Sequence, residues 1–313
     1  MTITQLEYIL AVAEHRHFGK AAEACGVTQP TLSMQIQKLE EAWRTTLFDR
    51  SRKPIELTKT GYQVVEQAKN IVKEVRKMDD ILDLSRGKFH GVLRIGIIPT
   101  VSPYLLHRIF PLFTKRFPNV FCVFTENTTD NLIKQVRNDE IDVAILATPL
   151  DETGTIEKPL YYEPFVAFVH AGHRLAKESF ILNSELDLDD LLLLSEGHCF
   201  RNSVLQMCQA KGSRISTEGS KVMLESGNFE TLYKLVKNQV GMTLLPYLMA
   251  IDLSESDRKW IRPIAEPRPV REIGLLYSRT QLRTSLIDAL GEIISSSVPE
   301  KLLKPEGKVY SPK

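Results

Sequence analysis

No apolar run in this 313-residue chain is long enough to cross a bilayer. The first residues, Met1-Thr2-Ile3-Thr4-Gln5, carry neither the charged region nor the apolar stretch of an export signal, so a cytoplasmic protein is expected. Cysteine is scarce. Four cysteines cannot form a disulfide scaffold, and in a reducing cytosol any disulfide would be transient or sensory. The absence of a Cys-x-x-Cys motif weakens a thioredoxin-like redox reading. Neither sign of charge dominates: the net charge is +1, so any basic surface must be local. There is no internal repeat and no metal-ligand cluster of convincing spacing, and no metal or cofactor is expected. What is present is globular in kind, with 43% hydrophobic and 25% charged residues and length for roughly two to three domains.

The first sixty residues carry a clear local pattern. Leu6, Ile9, Leu10 and Ala13 recur at helical spacing, and a short second helix is predicted from Phe18 to Ala24. Gly26 breaks the chain, and Thr28 is a good N-cap for a third helix. Pro30 is tolerated in that helix's first turn, where the N–H it lacks would have been unpaired. Leu32, Ile36 and Leu39 form an inward stripe, leaving Thr31, Ser33, Gln35 and Lys38 facing out. Helix, tight turn and a helix with an outward row of small hydrogen-bonding residues is the helix-turn-helix pattern. Residues 50–58 read as a hairpin with Arg50, Arg52, Lys53 and Pro54 near its tip, a basic wing suited to phosphate or minor-groove contact. The alternative for the helices alone is a plain three-helix bundle.

Ala21-Ala22, Thr28-Gln29-Pro30-Thr31-Leu32-Ser33 and Leu47-Phe48-Asp49-Arg50 together resemble the winged helix-turn-helix of LysR-type transcriptional regulators. The resemblance departs at Arg44, which stands where the family usually has a glycine that ends a helix. It implies double-stranded promoter DNA as partner, with Thr28, Gln29, Pro30, Thr31, Ser33, Gln35 and Lys38 of the third helix and Arg50, Arg52 and Lys53 of the wing as contact residues. RNA polymerase is implied as a further partner.

From Thr58 a long helix is predicted. Gly61, Val64, Ala68, Ile71, Val75, Met78 and Leu82 alternate three and four apart, an a/d seam that points to helix pairing. Val65 and Val72 widen the stripe, which leaves open a helix packed on its own domain. In the family this segment dimerises, so a homo-oligomer, dimer or tetramer, is implied. Residues 87–91 read as a break into the next domain.

Beyond it, short apolar runs at 93–98, 120–124, 143–146, 166–169, 191–194, 242–245 and 273–277 alternate with helical patterns at 103–116, 130–138, 202–210, 229–238 and 281–295. Such alternation predicts parallel sheets with helices on both faces, in two lobes with a ligand cleft at the strand ends. This resembles the family's effector domain, similar in turn to periplasmic binding proteins, with hinge crossings near 162–166 and 266–271. The expected fold is thus α/β behind an N-terminal all-α winged helix-turn-helix (1–58). A linker and dimerisation helix spans 59–87. Lobe I of the two-lobed effector domain takes 88–165 and 267–300, and lobe II takes 166–266. The tail, 301–313, carries Lys301, Lys304 and Lys308 outside the core pattern and is expected to be mobile.

Within lobe II, Cys199 is flanked by His198 and, two residues on, Arg201, and a nearby cation favours the reactive thiolate. Cys208 falls on an apolar helix face with Val204 and Leu205. Cys25 and Cys122 read as inert core residues. The Gly197-His198-Cys199-Phe200-Arg201 element, Thr100 after the first strand of lobe I and Thr129 after the second resemble the branch of the family that senses hydrogen peroxide. That resemblance implies a regulator of the oxidative-stress response, not an enzyme. Thr100 and Thr129 would hold peroxide, His198 and Arg201 would support the Cys199 thiolate, and Cys208 would close a disulfide with oxidised Cys199. Two readings compete: a thiol peroxidase, which has no need of residues 1–60, and a family member that senses a metabolite, with incidental cysteines.

Overall fold

The computed structural model describes residues 1–85, 89–208 and 226–312, and divides into one unit at Met1–Lys88 and another at Phe89–Lys313. In the first unit, α1 (Ile3–His15) opens on a capping box. The Thr2 hydroxyl accepts from the Gln5 N–H and the Gln5 side chain accepts from the Thr2 N–H. α2 (Phe18–Ala24) ends before Gly26, whose φ of 66° makes the tight turn. α3 (Gln29–Trp43) starts at the Thr28 N-cap with proline in its first turn, as its sequence requires. Arg44 itself takes the left-handed conformation at φ 53°, and its N–H closes on the end of α3. The residue that departs from the family pattern therefore performs the glycine's turn, with the cost of a side chain there.

The wing is a short antiparallel hairpin, β1 (Phe48–Asp49) against β2 (Glu56–Leu57), with Phe48 opposite Leu57. α4 (Lys59–Ser85) then packs back on this unit. Here the predicted seam is corrected. Val65, Ala68 and Val72 are buried in the same core as Leu6, Ile9, Val12, Leu32 and Ile36. Gly61 is also turned inward, where a Cβ would lie 2.1 Å from the Leu47 carbonyl oxygen, so only glycine allows this approach. Val64, Ile71 and Val75 are half-buried, the first two flanking that core, and Met78 is 65% exposed, so one stripe serves the unit's own core and its neighbour stays partly open. The Leu82 side chain lies outside the described residues, as do residues 86–88 of the expected break.

The second unit is built on a nine-stranded mixed sheet, ordered β4-β3-β5-β10-β6-β8-β7, with β9 paired to β6 and β11 to β10. β3 (Gly91–Ile97), β4 (Val120–Glu126) and β5 (Val143–Thr148) are parallel, linked by α5 (Ser102–Arg116) and α6 (Thr129–Arg137). The expectation of wholly parallel sheets fails at β6 (Thr155–Val169) and β10 (Pro269–Ser278). These run antiparallel to each other, and β10 also runs antiparallel to β5. The first half of β6, with two prolines and alternating polar residues, carries no apolar run and escaped prediction. Through Pro164, β6 pairs with β10; from Phe165 it pairs with β8 (Met242–Pro246) and then β9 (Ile261–Pro263). β7 (Leu191–Leu192) lies parallel to β8.

Two apolar cores follow. One joins β3, β5, α5, α6 and α11 (Thr284–Ser297) through Ile95, Ile97, Leu105, Leu132 and Ile294. The other joins β8, α7 (Cys199–Cys208), α8 (Phe229–Lys237) and α9 (Tyr247–Asp252) through Phe165, Val204, Leu232 and Leu245. α10 (Glu255–Arg258) is a single short turn. α7 starts three residues earlier than the predicted 202–210, and residues 209 and 210 lie outside the described ones. The tail, expected to be mobile, packs on the unit over its described residues, 301–312. Leu302 and Tyr310 are buried, and β11 (Lys308–Val309) adds a parallel strand to β10. Its polar composition hides these two apolar anchors. Among the described residues no helix is long and apolar enough to cross a membrane, and no group of three His, Cys, Asp or Glu is placed to hold a metal ion.

Candidate functional site

Thr28, Gln29, Pro30 and Lys38 are exposed on α3, and Thr31 and Ser33 are half-exposed between them. The Thr28 hydroxyl is spent on the helix start, accepting from the Thr31 N–H at 3.4 Å and lying 2.8 Å from the Thr31 hydroxyl. Gln35 is not part of the outward row: it is half-buried, and its side-chain oxygen accepts from Gln5 of α1 at 3.2 Å. Arg50 also differs from a free phosphate-binding cation. It reaches Glu40 at 3.0 Å and the Ser33 hydroxyl at 3.3 Å, and its guanidinium stands 4.9 Å from the centre of the Phe18 ring. Glu40 in turn accepts from the buried N–H groups of Leu47 and Phe48 at 2.7 and 3.3 Å. One carboxylate thus ties α3 to the wing. Arg52 sits between Asp49 and Glu56, while Lys53 is exposed near the hairpin tip.

The second unit gathers a different set of residues around Cys199. This cysteine is the first residue of α7, buried, and belongs to the core built on β3 and β5. Arg271 of β10 and Glu163 of β6 face each other across the antiparallel pair, 2% and 1% exposed. Arg271 donates from Nε and Nη2 to Glu163 at 2.9 and 2.7 Å, and from Nη1 and Nη2 to the hydroxyl and carbonyl of Thr100 at 3.0 Å each. Its guanidinium also lies over Phe200, 5.1 Å from the ring centre. The other Glu163 oxygen accepts from the Leu248 N–H at 2.8 Å. The Thr129 hydroxyl is buried with no partner of good geometry, and the Cys199 sulfur is the group it approaches.

Burial pushes the Cys199 thiol above its ordinary range, more than Arg271, Thr129 and the N–H groups at the start of α7 pull it down. The thiol therefore rests protonated at neutral pH, against the thiolate expected from its sequence neighbours. Those neighbours act elsewhere. Arg201 donates to the Leu194 carbonyl at 3.0 Å, and the cation that lowers the thiol's pKa is Arg271. Burial lowers the pKa of His198, so its imidazole is neutral rather than a second cation. Thr100 and Thr129 do stand at the site. Cys208 ends α7 in the other apolar core, and all four cysteines are free thiols. Cys25 and Cys122 are half-buried rather than core, and burial raises the pKa of each.

Arg271 and Glu163 were missed because they lie far from Cys199 in sequence. The sequence held a weak signal in Glu163, which directly precedes the apolar run 164–169, and in Arg271, which with Glu272 precedes the apolar end of β10; a charge buried at such a place needs a partner.

Residues 3–62 match the bacterial regulatory helix-turn-helix protein, lysR family, and residues 86–298 match the LysR substrate binding domain. The chain is 36% identical over 277 residues to the hydrogen peroxide-inducible genes activator of Pectobacterium carotovorum, covering 88% of this chain and 90% of that protein. It is 34% identical over 307 residues to the DNA-binding transcriptional dual regulator OxyR of Escherichia coli K12, covering 97% and 99%. A full-length OxyR variant from Pseudomonas aeruginosa superposes with a TM-score of 0.74 at 31% identity, over 94% of this chain and 98% of that one. With both of its parts matched over most of their length, the chain belongs to the LysR family of bacterial transcriptional regulators.

Proposed function

We propose that this protein is a DNA-binding regulator that senses hydrogen peroxide through Cys199 and switches promoter binding to activate antioxidant genes. The observation that carries the reading is the seat of Cys199, a buried thiol at a helix start faced by Thr129 and by Arg271, which itself holds Thr100, with Cys208 at the helix's far end. Relatives named for peroxide-inducible gene activation support it. The Thr100 hydroxyl, whose oxygen already accepts from Arg271, and the unpartnered Thr129 hydroxyl are the groups to hold peroxide. Sulfur forms a bond to one peroxide oxygen as the O–O bond breaks. The departing hydroxide leaves as water with the thiol's proton, and Cys199 becomes a sulfenic acid. Arg271 stabilises the negative charge that develops on sulfur. The Cys208 sulfur then displaces the hydroxyl as a second water, closing the disulfide. A thiol peroxidase has no need of the helix-turn-helix unit, which favours a switch over an enzyme.

The two apolar cores are read as two lobes, with the partner change of β6 at Pro164–Phe165 as one hinge crossing. α3 meets the major groove through Gln29, Pro30, Thr31 and Ser33, and Lys53 carries the wing's phosphate contact. The half-exposed stripe of Val64, Ile71 and Val75 is read as the face that pairs two copies, so that a two-fold protein meets a two-fold site. RNA polymerase is the expected partner at the promoter.

A promoter footprint of purified protein, reduced and peroxide-treated, tests the reading. The protected region is expected to change on oxidation in the unaltered chain and to stay fixed in Cys199→Ser. A peroxide-dependent change that survives in Cys199→Ser returns the protein to the metabolite-sensing reading. A charge in the open stripe, Ile71→Glu, is expected to yield a species of smaller mass by sedimentation with weakened DNA binding. An unchanged mass places the pairing face elsewhere.

A further inference from the structure

We infer that the C-terminal strap, residues 308–312, is a positioning element for α7 that sets how fast Cys208 reaches oxidised Cys199. The inference rests on the peroxide-sensing reading above. β11 pairs in parallel with Pro269 and Val270, the two residues before Arg271. The Tyr310 N–H donates to the Val270 carbonyl at 3.0 Å, and the buried Tyr310 shares its apolar core with Val204, Met207 and Cys208. Having anchored there, the chain runs alongside α7. Asn202 donates to the Pro312 carbonyl at 3.3 Å and Gln206 to the Ser311 carbonyl at 3.5 Å, while the Ser203 hydroxyl is shared between the Cys199 carbonyl at 3.3 Å and the Ser311 carbonyl at 3.5 Å. These three donors occupy the stretch of α7 between the two cysteines.

That stretch has to move. Nine helical residues separate the two Cα atoms by about 13 Å, whereas a disulfide needs them within roughly 7 Å. Closing the bond unwinds α7 and pulls Asn202, Ser203 and Gln206 from the strap carbonyls. Peroxide attack on Cys199 requires none of this, because Cys199 sits at the helix start and faces the other core. The strap therefore bears on the second step alone, in which the Cys208 thiol displaces the sulfenic hydroxyl as water and the S–S bond forms. By resisting that step, it lengthens the interval in which Cys199 stands as a sulfenic acid.

The test separates the two steps. Full-length protein, a chain ending at Gly307 and the milder Tyr310→Ser are each mixed with hydrogen peroxide. Samples are quenched over time with a sulfenic-acid trap and a thiol alkylator, and read by mass spectrometry. Cys199 oxidation is expected at the same rate in all three. Disulfide closure is expected about tenfold faster or more in the shortened chain, the scale of losing one or two hydrogen bonds, with Tyr310→Ser between. General loosening of the fold would accelerate both steps together, and that result overturns the inference. So does closure at the full-length rate in both variants. If Cys199 in the full-length chain is not oxidised at all, the peroxide-sensing reading falls and the strap's role falls with it. Normal oxidation with unchanged closure removes the strap alone.

Discussion

Arg271→Ala is expected to destabilise the C-terminal unit by about 3–5 kcal/mol, the scale of leaving a buried carboxylate without its partner. The carboxylate is Glu163, whose other hydrogen bond holds the Leu248 N–H and so cannot be given up without a second loss. The same substitution removes the guanidinium that lowers the Cys199 pKa, which then rises further. A higher pKa lowers the thiolate fraction, so reaction with peroxide slows. Arg271→Lys keeps the charge but not the two-pronged grip on Glu163 and Thr100, and falls between. The chain's two tryptophans make the stability measurement selective, since Trp43 lies in the first unit and Trp260 in the second. In a Trp43→Phe background, urea unfolding followed by Trp260 fluorescence reads the C-terminal unit. The pH dependence of Cys199 alkylation reads the thiol. An unaltered alkylation profile in Arg271→Ala shows that the guanidinium does not act on the sulfur.

Glu40→Ala is expected to be the most damaging single change in the DNA-binding unit. It leaves the Leu47 and Phe48 N–H groups buried and unpaired, at a cost of about 2–4 kcal/mol together. It also takes the ion pair from Arg50, leaving only the 3.3 Å bond to Ser33 on α3, so the wing is held less firmly beside the helix and DNA affinity falls. Arg50→Ala keeps both N–H bonds and, with its partly exposed side chain, costs under about 1 kcal/mol. Urea unfolding followed by Trp43 fluorescence in a Trp260→Phe background compares the two. Equal losses would assign the stability to the ion pair rather than to the capped N–H groups.

The parts that were legible in the sequence rest on short-range rules. Thr28, Pro30 and Gly26 mark helix boundaries wherever they occur, and Leu32, Ile36 and Leu39 declare a buried face by spacing alone. Cys199 stood out as a rare residue near charges, and Cys208 as a second one close by on an apolar face. What was hidden depends on pairing across long stretches of chain. Arg201 is two residues from Cys199 but turns to Leu194, while Arg271, 72 positions further along, lies over Phe200 beside the thiol. Spacing along α4 gave a hydrophobic stripe without saying which part of it the unit would keep. Val65 and Val72, read as a mere widening, prove to be its buried centre. Polar composition in the tail concealed Leu302 and Tyr310, whose burial comes from where the preceding strand leaves them.

Cys199 and Cys208 are housed in different apolar cores, at opposite ends of one helix. A disulfide between them exists only at the expense of that helix and of the seats of Val204 and Met207. The dithiol form thus keeps a conformational advantage that the oxidised form lacks, and this difference enters the reduction potential directly. For a two-electron couple, each 1.4 kcal/mol of such advantage raises the potential by about 30 mV. The couple is thereby moved away from the strongly reducing values of structural disulfides and toward those that ordinary cellular dithiols reduce readily. On the peroxide-sensing reading proposed above, refolding of α7 favours the dithiol form and so works toward resetting the sensor.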